Sequence, residues 1–548
     1  MGKIERSTFS GFLSIFSTKV VALVVGLALT PALTRLFTKE QYGHYAFVMS
    51  IFGLYMIVIS GGIGDGVRKY VAEDQEAENW EQSVIGFYFR AAFLMATVGA
   101  IGLIIIGYLG SKTWFDPEFQ VYFYVLALLV FAAQYRNFNR RVLMGLGLER
   151  YSEPLKVINK VLVVGVGVLL VYLGLGVLGM LIGYVVASSL TFLIGLYYIH
   201  REISVRSFLA KAGSHLPKRE LIMFNSWSIV LLLLLSSLYH VDVLMLKPIA
   251  GSVETSSYKA ALTLAEFLWF VPLTIQAVLL HSTSELWSND RHDAITELST
   301  QVTRYTLLLT ALFTIGLFVL APVVVPLYLS EKYTTAVLPL RILLPGTLAF
   351  AVARPIMAIG QGKGDLPILV GGVGAAAGIN FGLNFVLIPR FGQVGAAVAT
   401  GIGYGSMFVF MVFAALRLGY NPLKDFRGLR VLITILLSSA GIYGLNTIIG
   451  GGLLSLLIVP PVGFLMFTAC SFLTGALDVA ECRIISDKLP DPFGPAVAKV
   501  LDLLDWLSEK TDTEVSSIRY EDVKTDGAGV IYTTLVEEEL EKDSEGKS

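Results

Sequence analysis

Residues 141–154 read RVLMGLGLERYSEP, and residues 354–367 read RPIMAIGQGKGDLP. Arg, Met, Gly and Pro occupy the same places in both stretches, which begin 213 residues apart. A glycine pair follows each stretch, as GVLG at 176–179 and as GQVG at 392–395. Arginine, glycine and proline are also ordinary residues at helix ends and turns. Because order and spacing recur together, we interpret the two regions as copies of one internal repeat.

The composition is that of a chain that lies largely in a membrane. Of its 548 residues, 55% are hydrophobic and only 15% are charged, against about a quarter in soluble proteins. The mean hydropathy is +0.70. The net charge of −1 excludes a basic surface for nucleic acid, and two cysteines are too few for a disulfide framework or a usual zinc site. We therefore expect neither a nucleic-acid partner nor a cofactor.

Continuous apolar runs predict an all-α integral membrane protein with about 14 transmembrane helices, because lipid offers no hydrogen bonds to the backbone. Lys and Arg concentrate in the loops after even-numbered spans, which predicts that both termini lie in the cytoplasm. The predicted spans are approximately 11–34, 44–66, 84–109, 120–143, 156–174, 177–199, 223–246, 259–282, 305–328, 336–360, 368–388, 394–416, 430–449 and 452–474.

The two copies of the motif lie at the ends of spans 4 and 10, and an offset of six spans keeps the orientation. This predicts two parallel-repeat six-helix lobes, spans 1–6 and 7–12, plus two extra helices. A fainter match pairs Tyr42 and Ala46 with Tyr258 and Ala261. The predicted domains are an N-terminal lobe (1–200), a cytoplasmic loop (201–220), a C-terminal lobe (221–418), spans 13 and 14 (428–475) and an acidic cytoplasmic tail with a candidate amphipathic helix (476–548).

Three stretches resemble the polysaccharide flippases of the multidrug/oligosaccharidyl-lipid/polysaccharide exporter superfamily. They are RLFTKEQYGHYAFVMSI at 35–51, VDVLMLKPIAGSVETSSYKAA at 241–261 and GQGKGDLPILVGGVGAAAGINFGLNFVLIPRFGQVGAAVAT at 360–400. The last contains a Gly-Lys turn and a helix with Asn380 and Asn384. The resemblance covers spans 1 to 14 and leaves out the tail.

The resemblance implies two lobes that form a V and a chain that moves a lipid-linked oligosaccharide from the inner to the outer leaflet. It implies a polyprenyl- or dolichyl-(pyro)phosphate-linked glycan as the substrate, and alternating access without covalent chemistry. Spans 13 and 14 would give the lipid tail of the substrate a surface to run along, and membrane lipid is a further expected partner. Glycan-assembly proteins are candidate partners of the C-terminal tail (476–548).

Charged residues inside spans are costly unless they face protein or water, so they are the candidate site residues. The candidates for binding an anionic substrate are Lys19, Arg90, Lys160, Arg341 and Arg354. Phosphate, pyrophosphate or uronate would supply the negative charge, and Arg binds such groups in a bidentate way. Alternatively, Lys19, Arg90 and Lys160 reach the headgroups by snorkelling, and Arg354 is an anchor at the interface.

Asp242 and Glu266 in spans 7 and 8 are the candidates for ion coupling. Asp242 either binds a coupling cation or makes a structural contact within its lobe. Glu266 has a structural alternative too, which is an ion pair with Arg341. No metal site is predicted.

Three functions remain open at this stage. A flippase agrees with the mainly cationic intramembrane charge. A multidrug or cation antiporter of the same superfamily predicts an acid-rich cavity. A membrane glycan polymerase or ligase predicts a large outer catalytic loop, whereas every predicted outer loop is short. We expect no enzymatic activity, and the chain has no Gly-x4-Gly-Lys-[Ser/Thr] phosphate loop.

Overall fold

The computed structural model describes residues 24–73, 80–113, 115–204, 208, 221 and 226–478. The regular elements within these ranges are helices. In chain order they are α1 (Val24–Leu36), α2 (Lys39–Ser60), α3 (Ile63–Ala72), α4 (Trp80–Thr113), α5 (Glu118–Gly145), α6 (Glu149–Leu170), α7 (Gly176–Glu202), α8 (Ser226–Ala250), α9 (Ser252–Glu266), α10 (Phe270–Ser288), α11 (His292–Tyr328), α12 (Val337–Lys363), α13 (Leu366–Leu418), α14 (Gly428–Ile449) and α15 (Leu453–Leu473). A π-helical turn at Val171–Leu175 and 3₁₀ turns at Phe267–Trp269 and Glu331–Ala336 join neighbouring helices.

Within the described residues, eleven helical stretches are long and apolar enough to cross a membrane. Two of them each contain a pair of predicted spans. The first is broken at Gly174 (φ 93°) and Gly176 (φ 54°), and the second is broken at Gly392 (φ 54°). The short helix α1 is the described part of the first predicted span. The all-helical membrane fold predicted from the sequence is therefore confirmed.

The second span differs from its prediction at both ends. It begins at Lys39 because Thr38 and Gln41 form a reciprocal capping box, which satisfies free backbone N–H groups. It ends at Ser60 because Gly61 and Gly62 take left-handed conformations that stop a helix. The amphipathic helix α3 follows as a separate element.

The repeat is visible in backbone geometry. Gly176 and Gly392, which begin the repeated glycine pairs, have φ/ψ values of 54°/−137° and 54°/−130°. The helices α2 and α9 begin at Lys39 and Ser252, which are 213 residues apart like the opening motifs. The two copies thus share both a sequence spacing and an unusual backbone conformation.

The third residue of each of these helices faces the matching glycine. Gln41 lies beside Gly176, where an added Cβ would come within 3.1 Å of its Nε2. Glu254 lies beside Gly392, and its Oε2 accepts a hydrogen bond from the N–H of Gln393 at 2.7 Å. A side chain at either glycine would meet this neighbour as well as an unfavourable φ.

Two details of the predicted repeat are corrected by the structure. The helix starts pair Tyr45, not Tyr42, with Tyr258. Gly147 lies in a turn with φ 70°, but its sequence match Gly360 is buried inside α12, which continues to Lys363 before Gly364 ends it. The second copy of this helix is therefore about one turn longer than the first.

The helix α2 packs directly against the second half of the chain. Gly43 lies so close to the backbone of Ser252 that a Cβ would clash, and Gly53 lies against the ring of His240. Residues up to Thr468 form one compact unit. The boundaries 1–200 and 221–418 for two lobes therefore stay a prediction. The second unit, Ala469–Ser548, is described only to residue 478, so the predicted tail helix lies outside the described residues.

Candidate functional site

Asp242 on α8 is fully buried and is surrounded by neutral donors, an arrangement that we call the acid cage. Its Oδ2 accepts hydrogen bonds from Tyr258 Oη at 2.7 Å and from Thr400 Oγ1 at 2.6 Å. Its Oδ1 accepts one from the side-chain amide of Asn384. Asn384 and Thr400 lie on either side of the break in α13 at Gly392. The break therefore brings two segments of one long helix to the same carboxylate.

The acid cage lacks a matched positive charge. In the part of the chain that the structure describes, the ion pairs include none with Asp242. The buried side chain of Asn384 leaves its Oδ1 without a hydrogen bond, and that of Asn380 leaves its Nδ2 without one. Oxygen atoms of carboxylates, amides and hydroxyls are the ligands of hard cations. The arrangement can hold either a proton on Asp242 or a small cation.

Glu266 and Arg341 do not pair, so that structural hypothesis is wrong. Glu266 faces Lys259 on its own helix, with 3.9 Å between Oε2 and Nζ. Arg341 donates from Nε to the backbone oxygen of Phe318 at 3.0 Å and lies over the Phe318 ring. Each charge is thus held locally.

Arg354 is buried, with 4% of its surface exposed. It donates to Tyr239 Oη at 2.8 Å and to Gln276 Oε1 at 3.2 Å. Its guanidinium lies 4.7 Å from the ring centre of Trp269 and 4.6 Å from that of Phe350. The structure therefore puts this cation inside the protein and not at a lipid interface.

A cavity with several polar lining residues lies in the first half, among α1, α2, α5, α6 and α7. It has a volume of about 310 Å³, and its lining includes Arg136, Asn159, Lys160, Tyr184 and Ser188. We call it the Arg136 cavity. It contains one of the predicted substrate-binding residues, Lys160.

The sequence interpretation missed Arg136 because it counted this residue with the charges of a cytoplasmic loop. In the structure Arg136 lies more than two helical turns before α5 ends at Gly145. Arg136 lies well inside the predicted span 120–143, and this position could have identified it as an intramembrane charge.

The neighbouring cations are paired with carboxylates. Arg141 contacts Asp65 at 3.0 Å, and Arg140 contacts Glu153 at 3.3 Å. Both arginines line a separate cavity of about 310 Å³. Arg90 is exposed on α4, and Lys19 lies outside the described residues.

Matched hydroxyl pairs border the two polar sites. Tyr45 Oη lies 3.0 Å from Tyr184 Oη beside the Arg136 cavity, and Tyr258 Oη lies 2.8 Å from Thr400 Oγ1 in the acid cage. Tyr45 and Tyr258 are 213 residues apart, and Tyr184 and Thr400 have the 216-residue offset of the two helix-breaking glycines. The two sites therefore occupy corresponding places in the repeat.

The two halves are also joined at one end by what we call the interhalf latch, between residues 34–39 and 327–335. Its hydrogen bonds run from Thr34 Oγ1 to Leu329 O (2.6 Å), from Arg35 Nη2 to Leu327 O (2.7 Å), from Lys332 Nζ to Phe37 O (2.5 Å) and from Lys39 Nζ to Thr335 Oγ1 (2.9 Å). An ion pair of Lys247 with Asp116 at 3.3 Å adds a further link. Opening this end requires that these bonds break.

An apolar groove of about 890 Å³ runs between the helices that precede α12 and the last two helices. Its lining includes Phe267, Phe313, Gly316, Val459 and Phe464. Ile442 of α14 and several residues of α15 form one side of the groove. We call it the apolar groove.

The fold defines a multi-pass helical membrane protein with polar sites buried among its helices. Residues 6–280, half of the chain, match the family model described as polysaccharide biosynthesis protein, and the chain belongs to that family.

Other proteins share the sequence or the fold at lower identity. The uncharacterized membrane protein MJ1068 of Methanocaldococcus jannaschii is 21% identical over 474 residues, covering 82% of this chain and 92% of that protein. The lipid II flippase MurJ in an inward closed conformation has a TM-score of 0.67 at 14% identity, covering 85% of this chain and 98% of MurJ. An inward-facing multidrug resistance MATE family transporter of the MOP superfamily has a TM-score of 0.59 at 16% identity, with 73% and 98% coverage. These solved structures show the fold.

Proposed function

We propose that this protein is a flippase that moves a lipid-linked oligosaccharide or polysaccharide precursor across the cytoplasmic membrane by alternating access. Both termini lie in the cytoplasm in this proposal. The carrier is a polyprenyl or dolichyl (pyro)phosphate, and the protein performs no covalent chemistry. Membership of a polysaccharide biosynthesis family and the fold shared with a lipid II flippase support this assignment.

The observation that carries the proposal is the apolar groove. Its lining is almost entirely apolar and includes residues of α14 and α15, and a polyprenyl tail would lie in it while the polar headgroup crosses. Because such a tail already lies in hydrocarbon, the groove would stabilise it through van der Waals contacts and not through transfer from water. In this proposal the end that carries the interhalf latch faces outward, and the latch would close it while the headgroup enters from the cytoplasm.

The test is flipping of a fluorescent polyprenyl-diphosphate sugar in proteoliposomes, with Gly316→Trp as the groove variant. Gly316 lines the groove and has open space around it, so a large ring there fills the groove. The ring would displace the tail from the groove and remove the van der Waals contacts between them. We expect slower flipping of a long-tailed carrier and little change for a short-tailed one.

Gly371→Trp is the matched control, because Gly371 is a helical glycine with open space outside the groove. No flipping by the wild-type protein would overturn the function. Equal loss in both tryptophan variants, or for both tail lengths, would remove the groove from the mechanism.

A second candidate function, cation-coupled antiport, is favoured by the acid cage. If a multidrug substrate is the cargo, a cation gradient will drive efflux of a dye such as ethidium from the proteoliposomes. Under the flippase proposal, the same gradient instead accelerates flipping, and dye efflux is absent.

A further inference from the structure

We propose that the Arg136 cavity binds an oxyanion, either a carboxylate or a phosphate group. The inference rests on the proposed function for one source of this group, the headgroup of the lipid-linked glycan. The other source is a free anion in solution. Neither source involves the acid cage, which lies in the other half of the repeat.

The first argument is the set of donors that Arg136 leaves open. Its Nη1 donates to Asn159 Oδ1 at 2.6 Å and to Ser188 Oγ at 3.1 Å, and its Nη2 donates to Asn137 Oδ1 at 3.2 Å. A guanidinium has five N–H donors. The Nε–H and one Nη2–H therefore make no hydrogen bond to the described residues. Nε and Nη2 are neighbouring donors, and such a pair fits an oxyanion in a bidentate way.

The second argument is charge. The three hydrogen-bond partners of Arg136 are neutral, whereas Arg140, Arg141 and Lys156 each contact a carboxylate. Arg136 forms no ion pair with an acid in the part of the chain that the structure describes. A charge inside a membrane span is expensive and marks a functional site by default. A bound anion would supply the missing negative charge.

The third argument is the space beside the guanidinium. The cavity of about 310 Å³ is at the small end of ligand pockets, and Lys160 is a second basic residue in its lining. It accommodates one phosphate or one uronate residue and is too small for a whole oligosaccharide. Ser188 and Asn159 hold the guanidinium in place, so little side-chain entropy is lost on binding.

The test is direct binding to the full chain in nanodiscs, followed by calorimetry and by the shift in melting temperature. The probes are inorganic phosphate, sodium glucuronate and polyprenyl phosphate added to the nanodisc lipid. We expect Arg136→Gln to weaken oxyanion binding by about tenfold or more, since charged hydrogen bonds are lost. Arg136→Lys keeps the charge without the paired donors, and we expect an intermediate affinity.

Arg390→Gln is the control, because it removes an exposed cation elsewhere in the fold, and we expect unchanged binding. Binding of phosphate or glucuronate that depends on Arg136 supports a soluble source. Binding of polyprenyl phosphate alone, with the same dependence, supports the lipid headgroup. If Arg136→Gln does not fold, weaker binding by Arg136→Lys than by wild type supports the inference in its place.

Absence of binding by the wild type, or equal binding by wild type and the Arg136 variants, would overturn the inference. Flipping is measured separately in the same samples. Normal flipping with no oxyanion binding rejects the Arg136 site and leaves the proposed function intact. Oxyanion binding without flipping supports the Arg136 site and rejects the proposed function.

Discussion

The two halves of the chain build corresponding sites around opposite charges. In the first half a hydroxyl pair, Tyr45 and Tyr184, borders a cavity that contains the cation Arg136. In the second half the corresponding pair, Tyr258 and Thr400, binds the acid Asp242. The repeat therefore preserves the backbone and the hydroxyl contact but not the charge. The same helical architecture therefore carries a cation in the Arg136 cavity of the first half and an acid in the acid cage of the second half.

The largest expected effect comes from removing the acid of the second half. We expect Asp242→Asn to leave flipping in place but to reduce its acceleration by a Na⁺ or H⁺ gradient. The reduction should be about 5- to 150-fold, the usual range of coupling between two sites. The measurement is flipping in proteoliposomes with and without each gradient.

Asp365→Asn provides the control for this change. Asp365 is exposed before α13 and makes no capping hydrogen bond. An unchanged gradient response in Asp242→Asn would mean that the acid cage is structural, and the contrast between the halves would lose its functional meaning.

A smaller effect is expected at the two helix-breaking glycines. Gly176→Ala and Gly392→Ala each force a side chain into a conformation that costs about 1–3 kcal/mol. We expect Gly392→Ala to lower the melting temperature more, because its Cβ also meets the carboxylate of Glu254. Thermal unfolding in detergent compares the two variants.

The matching double variant isolates the second contribution. In a Glu254→Ala background, Gly392→Ala should cost less than in the wild type, since the clash is gone. Equal costs in both backgrounds would show that backbone strain alone accounts for the effect and that the two glycines are equivalent.

The smallest effect is expected from removing one hydroxyl in each half. Tyr258→Phe loses a hydrogen bond to a carboxylate, worth about 1.5–3 kcal/mol if ionised, whereas Tyr45→Phe loses a neutral one, worth about 0.5–1.5 kcal/mol. We therefore expect a larger fall in melting temperature for Tyr258→Phe. A protonated Asp242 would make the two losses similar, so the ratio reports the charge state of the acid cage.

Some site residues were predictable from sequence because their chemistry is conspicuous in apolar runs. Asp242 and Lys160 were selected in this way, and the structure brings each into a polar site. Arg136 was missed because it is close in sequence to the loop charges Arg140 and Arg141. Arg354 was selected, but its amide and most of its aromatic surroundings come from α8, α10 and the 3₁₀ turn at Phe267–Trp269 and have no signal in the local sequence.

The helical membrane fold and the internal repeat can be predicted from the sequence alone. Continuous apolar runs of about 20 residues form helices in lipid, and the glycine pairs at 176–179 and 392–395 recur in each copy. The side of each helix that faces protein is known only from the packing of the helices in three dimensions. Helices that are apolar all round carry no stripe that indicates a buried face. The pairing of Tyr45 with Tyr184, the interhalf latch and the open donors of Arg136 therefore emerge from packing between helices that are distant in sequence.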